Sequence, residues 1–304
     1  MKVAITGATG FLGKYLVSYL LENLYDVLVI ARREEQAEEC LPARVNVYIT
    51  DYSFESLCEG LKDVEAVIHL AAQTMQRDSD PFRVSQFFSV NITMTENLLL
   101  AAKQAGVKKV CQMSSNSVYS SVNKMPFSEI DNPIPATIYG VSKVYAEKLG
   151  EYFSYKSEVK VVSLRLARLF GYGERSSVVF TKYMNLANEG KVLEVWGEGR
   201  TSIEYLYVKD AVVAIEYAVR MNIPDGIYNV GVNRSYSVLE IAESINVITG
   251  NTNNLLIDES KPEGGYHILM DSEKFYQATN WRPQWTLEEA ITDMYGYYKK
   301  DHGE

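Results

Sequence analysis

The sequence predicts a doubly wound α/β fold: a parallel sheet with helices on both faces, followed by a smaller C-terminal α/β lobe. Three observations predict it. A short apolar run, Val3-Ala4-Ile5-Thr6, feeds the glycine-rich turn Gly7-Ala8-Thr9-Gly10-Phe11-Leu12-Gly13, and that turn opens an amphipathic helix. Apolar strand-like runs then alternate with helical patterns through the first half of the chain, the order that gives parallel strands joined by crossover helices. Finally, 304 residues with a 47% hydrophobic fraction suffice for one large or two closely packed domains with a full core.

Each element has its own local reason. In the first helix Phe11, Leu12, Tyr15, Leu16, Tyr19, Leu20 and Leu24 recur at three- and four-residue spacing. Strands are expected at 2–6, 26–31, 45–49, 66–70, 108–113 and 159–164, with helices between them that include 85–105 and 139–155. After Phe170 the texture changes. Gly171-Tyr172-Gly173 breaks the pattern, a helix is expected near 177–189, and 192–196 followed by Gly197-Glu198-Gly199 reads as strand and turn. Helices at 208–221, 238–249 and 287–298 follow, with a strand at 226–231 and a turn at Trp281-Arg282-Pro283. This divides the chain into a first domain at 1–168 and a smaller lobe at 169–304, with 206–231 packing back on the first domain.

A net charge of −9 argues against a nucleic-acid or anionic-membrane partner. Cys40, Cys58 and Cys111 are widely spaced without a C-x-x-C pair and read as reduced thiols. No cleavable leader pattern or membrane-length apolar run is present, so a cytoplasmic location is expected. His69, His267 and His302 are too few and too scattered for a metal site, and none is expected.

The glycine turn has the shape a dinucleotide pyrophosphate needs, because glycines admit the phosphate and the first helical turn offers free N–H groups. Its spacing is G-x-x-G-x-x-G, one residue longer than the usual fingerprint, and a tight strand-to-helix turn also uses glycines for steric reasons. A P-loop fails: Ala8 stands where its first glycine belongs, and Tyr15 follows Gly13-Lys14 where Ser or Thr is required. Tyr139 and Lys143, four apart at a helix start, share one face. An ammonium beside a phenol lowers the phenol's pKa, making Tyr139 a candidate acid/base. With 22 tyrosines in the chain, that spacing alone is weak. Ser114-Ser115-Asn116-Ser117-Val118-Tyr119, directly after the strand expected to end at Met113, adds hydroxyls where such sheets place reactive groups.

On these motifs, joined by Val67-Ile68-His69-Leu70-Ala71-Ala72, Asn91-Ile92-Thr93-Met94-Thr95-Glu96-Asn97, Trp196-Gly197-Glu198-Gly199 and Tyr207-Val208-Lys209-Asp210, the chain resembles the extended short-chain dehydrogenase/reductases. The likeness is strongest to the nucleotide-sugar epimerases, dehydratases and reductases. It implies Tyr139 as acid/base at the sugar C4 hydroxyl, Lys143 as its tuner and ribose holder, and Ser115 on the C4 oxygen. Asn91 is implied beside them, and Ser117 on the substrate. Gly7, Thr9, Gly10, Phe11, Leu12 and Gly13 would cradle the pyrophosphate. Arg32, Asp51 and Tyr52 would meet the adenosine end, and Leu70, Ala71 and Ala72 would line the cofactor. Relatives often dimerise through helices matching 85–105 and 139–155, so a homodimer is expected.

Departures narrow the function. Dehydratases carry an acidic pair where Asn116 and Ser117 stand, so dehydration is not expected. Where an acidic residue usually closes the second strand, Ala31-Arg32-Arg33 leaves NAD and NADP both open. The arginine that binds the substrate diphosphate in many relatives is replaced by Ile203; Arg168 and Lys261 are the cations that would compensate. The expected activity is a UDP-hexose or UDP-N-acetylhexosamine 4-epimerase. The alternatives are an NADPH-dependent 4-keto-sugar reductase and a non-catalytic dinucleotide sensor.

Overall fold

The computed structural model describes residues 1–75, 80, 82–174 and 179–302. The first domain runs β1 (Lys2–Thr6), α1 (Phe11–Glu22), β2 (Asp26–Ala31), α2 (Glu34–Cys40), β3 (Asn46–Ile49), α3 (Phe54–Gly60) and β4 (Ala66–His69). It continues with α4 (Val84–Phe87), a π-helical turn (Phe88–Thr93), α5 (Met94–Ala105), β5 (Lys109–Ser115), α6 (Ile138–Lys156) and β6 (Lys160–Leu166). Then come β7 (Arg168–Phe170), α7 (Val179–Asn188), β8 (Leu193–Trp196), β9 (Ser202–Tyr207), α8 (Val208–Arg220) and β10 (Gly226–Val230). The chain closes with β11 (Ser235–Ser237), α9 (Val238–Thr249), β12 (Leu255–Asp258), β13 (His267–Ile268), α10 (Glu273–Thr279) and α11 (Leu287–His302).

Seven strands form one parallel sheet in the order β10-β6-β5-β4-β1-β2-β3. The order reverses between β1 and β4, and beyond the carboxyl ends of those strands such sheets open a crevice for ligand. The expected doubly wound architecture is present. The lobe holds β7, β9, β11 and β13 in one small sheet and β8 with β12 in another. A separate apolar core around Phe170, Phe180, Ile241 and Met294 supports it.

The structure lengthens one strand in a way that matters. β5 continues past Met113 through Ser114 and Ser115, which pair with Arg165 and Leu166 of β6. Ser114 remains in the ladder because its hydroxyl is satisfied by Glu147 on the α6 side. α6 buries Gly140, Ser142, Lys143, Ala146, Glu147, Gly150 and Phe153 along one face, and Glu147 is fully buried there. Its carboxylate accepts from Arg165 Nε at 2.8 Å, Arg165 Nη2 at 2.7 Å and Ser114 Oγ at 2.5 Å. Arg165 donates its other terminal nitrogen to the Tyr119 hydroxyl at 2.6 Å. At Gly150 a β-carbon would meet Gln112 Nε2 and a Val161 methyl at 2.8 Å, so the helix lies against the sheet.

The helix expected at 85–105 contains the π-helical turn, and residues 177–178 of the helix expected near 177–189 lie outside the described residues. The lobe strands β7, β9, β11, β12 and β13 lie outside the expected elements. Their partners lie far off in sequence, and β11, β12 and β13 carry no periodicity long enough to read.

Glu147→Gln keeps the shape but leaves the buried Arg165 charge without its counter-ion. It is expected to lower unfolding free energy by about 3–5 kcal/mol, measured as a fall in the urea midpoint with an unchanged slope.

Candidate active site

The glycine turn is held open on one side and closed on the other. Gly7 sits at φ +72°, and a β-carbon on it would lie 2.6 Å from the Ala71 nitrogen, so the exits of β1 and β4 touch backbone to backbone. A β-carbon on Gly13 would meet the Gly7 carbonyl oxygen at 2.4 Å, which seats the first turn of α1 on the loop. Gly10, by contrast, is exposed and donates its N–H to Gly7 at 3.1 Å. Among the described residues no side chain caps α1 and no acidic residue lies in its first turn, so its leading N–H groups face this cradle. That donor set fits an anionic pyrophosphate. Thr9, Phe11, Leu12, Leu70, Ala71 and Ala72 border it and are partly buried.

Beyond β2 and β3, Arg32, Ile49, Thr50, Asp51 and Ser56 line an open pocket. Among the described residues no carboxylate forms an ion pair with Arg32. Asp51 accepts from the Ser53 N–H at 2.8 Å, and hydrogen bonding to Ser53 holds its carboxyl below the usual range. Tyr52 corrects an expectation: it is a core residue. Its hydroxyl donates to the Ile30 carbonyl at 3.0 Å and its ring is buried, because a positive φ of 62° turns it inward.

Ser115 ends β5 and caps the short turn that follows. Its oxygen accepts from the Ser117 N–H at 3.1 Å, and its hydroxyl lies 3.1 Å from Ser117 Oγ and 3.3 Å from Asn116 Oδ1. The first turn of α6 arrives against this turn. Thr137 caps the helix through Gly140 N–H at 3.1 Å, and a β-carbon on Gly140 would fall 2.1 Å from the Ser117 carbonyl oxygen. Glycine is what lets Tyr139 reach Ser115. Burial pushes the Tyr139 phenol up to about 12, and a hydrogen-bonding contact with Ser115 pulls it the other way.

Lys143 is buried on the same face of α6. Its Nζ donates to the Met113 carbonyl at 2.8 Å and lies 5.6 Å from the centre of the Tyr139 ring. Burial brings the ammonium down to about 8, with the Glu147 carboxylate opposing. The lysine is thus engaged by strand backbone, and burial disfavours the charged form of Tyr139. Asn91, buried in the π-helical turn, clamps segment 73. Its Oδ1 accepts from Gln73 N–H at 2.7 Å, while Nδ2 donates to the Gln73 carbonyl at 3.0 Å and to Ser142 Oγ at 2.9 Å. With both N–H groups used, Asn91 supports the site from behind.

In the lobe, Arg168 is exposed at the start of β7 and lowers the Tyr205 phenol against the larger effect of burial. Lys261 is not available as an unpaired cation. It forms ion pairs with Glu194 and with Asp258, the latter at 3.8 Å, and lies over the Trp196 ring at 5.1 Å. Gln73, Gly140 and Glu147 were not anticipated. A glutamate four residues after Lys143, on the same helix face, is the signal that could have found Glu147. Among the described residues, no group of three or more His, Cys, Asp and Glu side chains could hold a metal ion, and no helix is long and apolar enough to cross a membrane.

The model of the NAD dependent epimerase/dehydratase family matches residues 3–231. A UDP-N-acetylglucosamine 4-epimerase from Bacillus cereus is similar in structure, with TM-score 0.87 and 28% identity over 98% of this chain and 96% of the other. A UDP-glucose 4-epimerase from Thermotoga maritima, solved with UDP-glucose, superposes with TM-score 0.88 and 26% identity over 99% and 100%. A dTDP-D-glucose 4,6-dehydratase from Mus musculus is 26% identical over 99% of this chain and 89% of its own length.

Gly140→Ala is expected to push the start of α6 off Ser117 and to cut turnover by about 100-fold, the scale of an ångström-level misplacement. Dinucleotide affinity, measured by fluorescence titration, should stay unchanged because the glycine cradle is untouched.

Proposed function

We propose that this chain, which belongs to the NAD-dependent epimerase/dehydratase family, is a nucleotide-sugar 4-epimerase acting on a UDP-hexose or UDP-N-acetylhexosamine. One observation carries the reading. Ser115 and Tyr139 meet at the mouth of the parallel sheet, while on the family resemblance Asn116 and Ser117 stand where a dehydratase would carry its acids. Neither side chain can protonate a departing C6 oxygen, so the site favours chemistry at C4 alone.

The residues present fit a nicotinamide dinucleotide. Gly7, Gly10, Phe11, Leu12 and Gly13 would hold its pyrophosphate, Lys143 its nicotinamide ribose, and Arg32 and Asp51 its adenosine end. When bound, that group supplies a hydride acceptor and donor for C4. The protein's part is proton management. The Tyr139 oxygen exchanges the C4 hydroxyl proton, and Ser115 holds the C4 oxygen in line. A phenol near 12 gives up its proton reluctantly, and that proton must pass to solvent before the Tyr139 oxygen can accept the one from the C4 hydroxyl, which it later returns to the C4 oxygen. Lys143, with Nζ 5.6 Å from the centre of the Tyr139 ring, would stabilise the phenolate. Arg168 would offer charge to the substrate diphosphate.

A 4-keto-sugar reductase is the second reading, favoured by the neutral phenol, a ready proton donor, and by Arg32, which suits a 2′-phosphate. Cofactor stoichiometry separates the two. Purified protein given UDP-glucose or UDP-N-acetylglucosamine should form the C4 epimer, seen by NMR, with no net change in reduced nicotinamide. Consumption of NADPH mole for mole with a 4-keto sugar would replace the first reading by the second. Dinucleotide binding without turnover on any nucleotide sugar would sink both and leave a sensor. Tyr139→Phe should cost about 10²–10⁴-fold in turnover while nucleotide binding persists.

A homodimer belongs to the same proposal. Val141, Tyr145, Tyr152 and Tyr155 form an exposed stripe on the face of α6 opposite the sheet, and Phe88 and Leu100 are exposed on the adjoining helices. Sedimentation should give a dimer for the native chain and a monomer for the pair Tyr145→Glu and Tyr152→Glu; a native monomer would refute it.

A further inference from the structure

We infer that His69 is a positioning residue that, as the neutral Nε2–H tautomer, fixes the π-helical turn carrying Asn91 and ties the glycine cradle to the helix of Tyr139. The inference rests on the reading just given for its kinetic consequence and on geometry for its structural one. His69 ends β4, beside Thr6 of β1, and both are buried. Its Nδ1 lies 2.7 Å from Thr6 Oγ1 and its Nε2 3.0 Å from Thr95 Oγ1.

The direction of each hydrogen bond follows by elimination. Thr95 Oγ1 is 2.9 Å from the Asn91 carbonyl, which can only accept, so the single Thr95 hydroxyl proton is committed there. Towards His69, Thr95 must then accept, which places the imidazole proton on Nε2. A neutral imidazole has one N–H, so Nδ1 is bare and accepts the Thr6 hydroxyl proton. Thr6 Oγ1 in turn accepts from the Ala71 N–H at 3.3 Å.

The chain continues beyond Asn91. Its Nδ2 donates to Ser142 Oγ, and Ser142 donates to the carbonyl of Tyr139 itself at 2.7 Å. Ala71 and Thr6 belong to the cradle; Ser142 and Tyr139 belong to α6. His69 is the link whose two faces have opposite polarity, one accepting and one donating. A π-helical turn is a less common register than an α-turn and persists where neighbours hold it. The Thr95 hydroxyl on the Asn91 carbonyl is such a hold, and His69 orients Thr95. Burial, with the Lys143 ammonium nearby, depresses the imidazole pKa to about 3, so the tautomer survives at neutral pH.

The test uses the full chain with ¹⁵N-labelled histidine. The expected signature is an Nε2–H tautomer that does not titrate between roughly pH 5 and pH 9, assigned by its loss in His69→Gln. That variant retains one acceptor and one donor at the end of its side chain and should keep kcat within about threefold, whereas His69→Leu should lose about 100-fold in kcat with KM unchanged. An Nδ1–H tautomer, a titration inside that range, or a folded His69→Leu as active as His69→Gln would overturn the inference. If His69→Leu does not fold, the tautomer decides. If the native protein turns over no nucleotide sugar, the proposed function fails. The tautomer, with amide-exchange protection of Gln73 kept in His69→Gln and lost in His69→Leu, still judges His69.

Discussion

The buried ion pair between Glu147 and Arg165 is the constraint on which the candidate site depends. Both side chains are almost wholly removed from water, and a charge in that position is tolerable only when paired and hydrogen-bonded. The pair joins α6 to β6, and Ser114 adds β5 to the same carboxylate. The helix therefore has one seating on the sheet. Two glycines permit that seating: Gly150 over Gln112 and Gly140 over Ser117. Tyr139, one residue before Gly140, is delivered to Ser115 as a consequence. Glu147 also lies one turn beyond Lys143 and opposes the loss of its charge, so the brace that positions the helix also sets the electrostatics of its lysine.

A second buried carboxylate joins sheet and lobe. Glu204 of β9 accepts from Val232 N–H at 2.6 Å, Asn233 N–H at 2.8 Å and Met270 N–H at 2.7 Å. Gly231 leaves it room, since a β-carbon there would lie 2.2 Å from the carboxylate. The chain leaving β10 is thereby anchored to the lobe as it leaves the large sheet. Burial raises the Glu204 pKa while the three N–H groups lower it. The junction is thus held by backbone donors in place of a cation, and backbone donors have fewer ways to rearrange than a lysine.

An acidic protein with an anionic ligand needs its positive charge concentrated. The leading N–H groups of α1, Arg32, Lys143 and Arg168 are the groups proposed to supply it. Lys261 shows why counting cations in a sequence misleads. Glu194 and Asp258 come from different strands of the lobe, and their pairing with Lys261 is visible only once β8 and β12 lie side by side. The same holds for Tyr52: a tyrosine after an aspartate at a strand end reads as a ligand contact until its backbone turns it into the core.

The sheet, the glycine cradle and the sequence order of Ser115, Tyr139 and Lys143 were legible because each rests on local periodicity or on a turn whose residues are contiguous. The sequence by itself determined the doubly wound architecture and the residue types at the mouth of the sheet. Tertiary structure alone decided the burial of the Tyr139 phenol, the engagement of Lys143 with Met113, the pairing of Lys261 and the polarity of the Thr6–His69–Thr95 chain. The physical reason is that periodicity fixes which face a residue presents. Ionisation and hydrogen-bond direction depend on burial and on partners brought from distant segments, and these exist only after the chain has closed on itself.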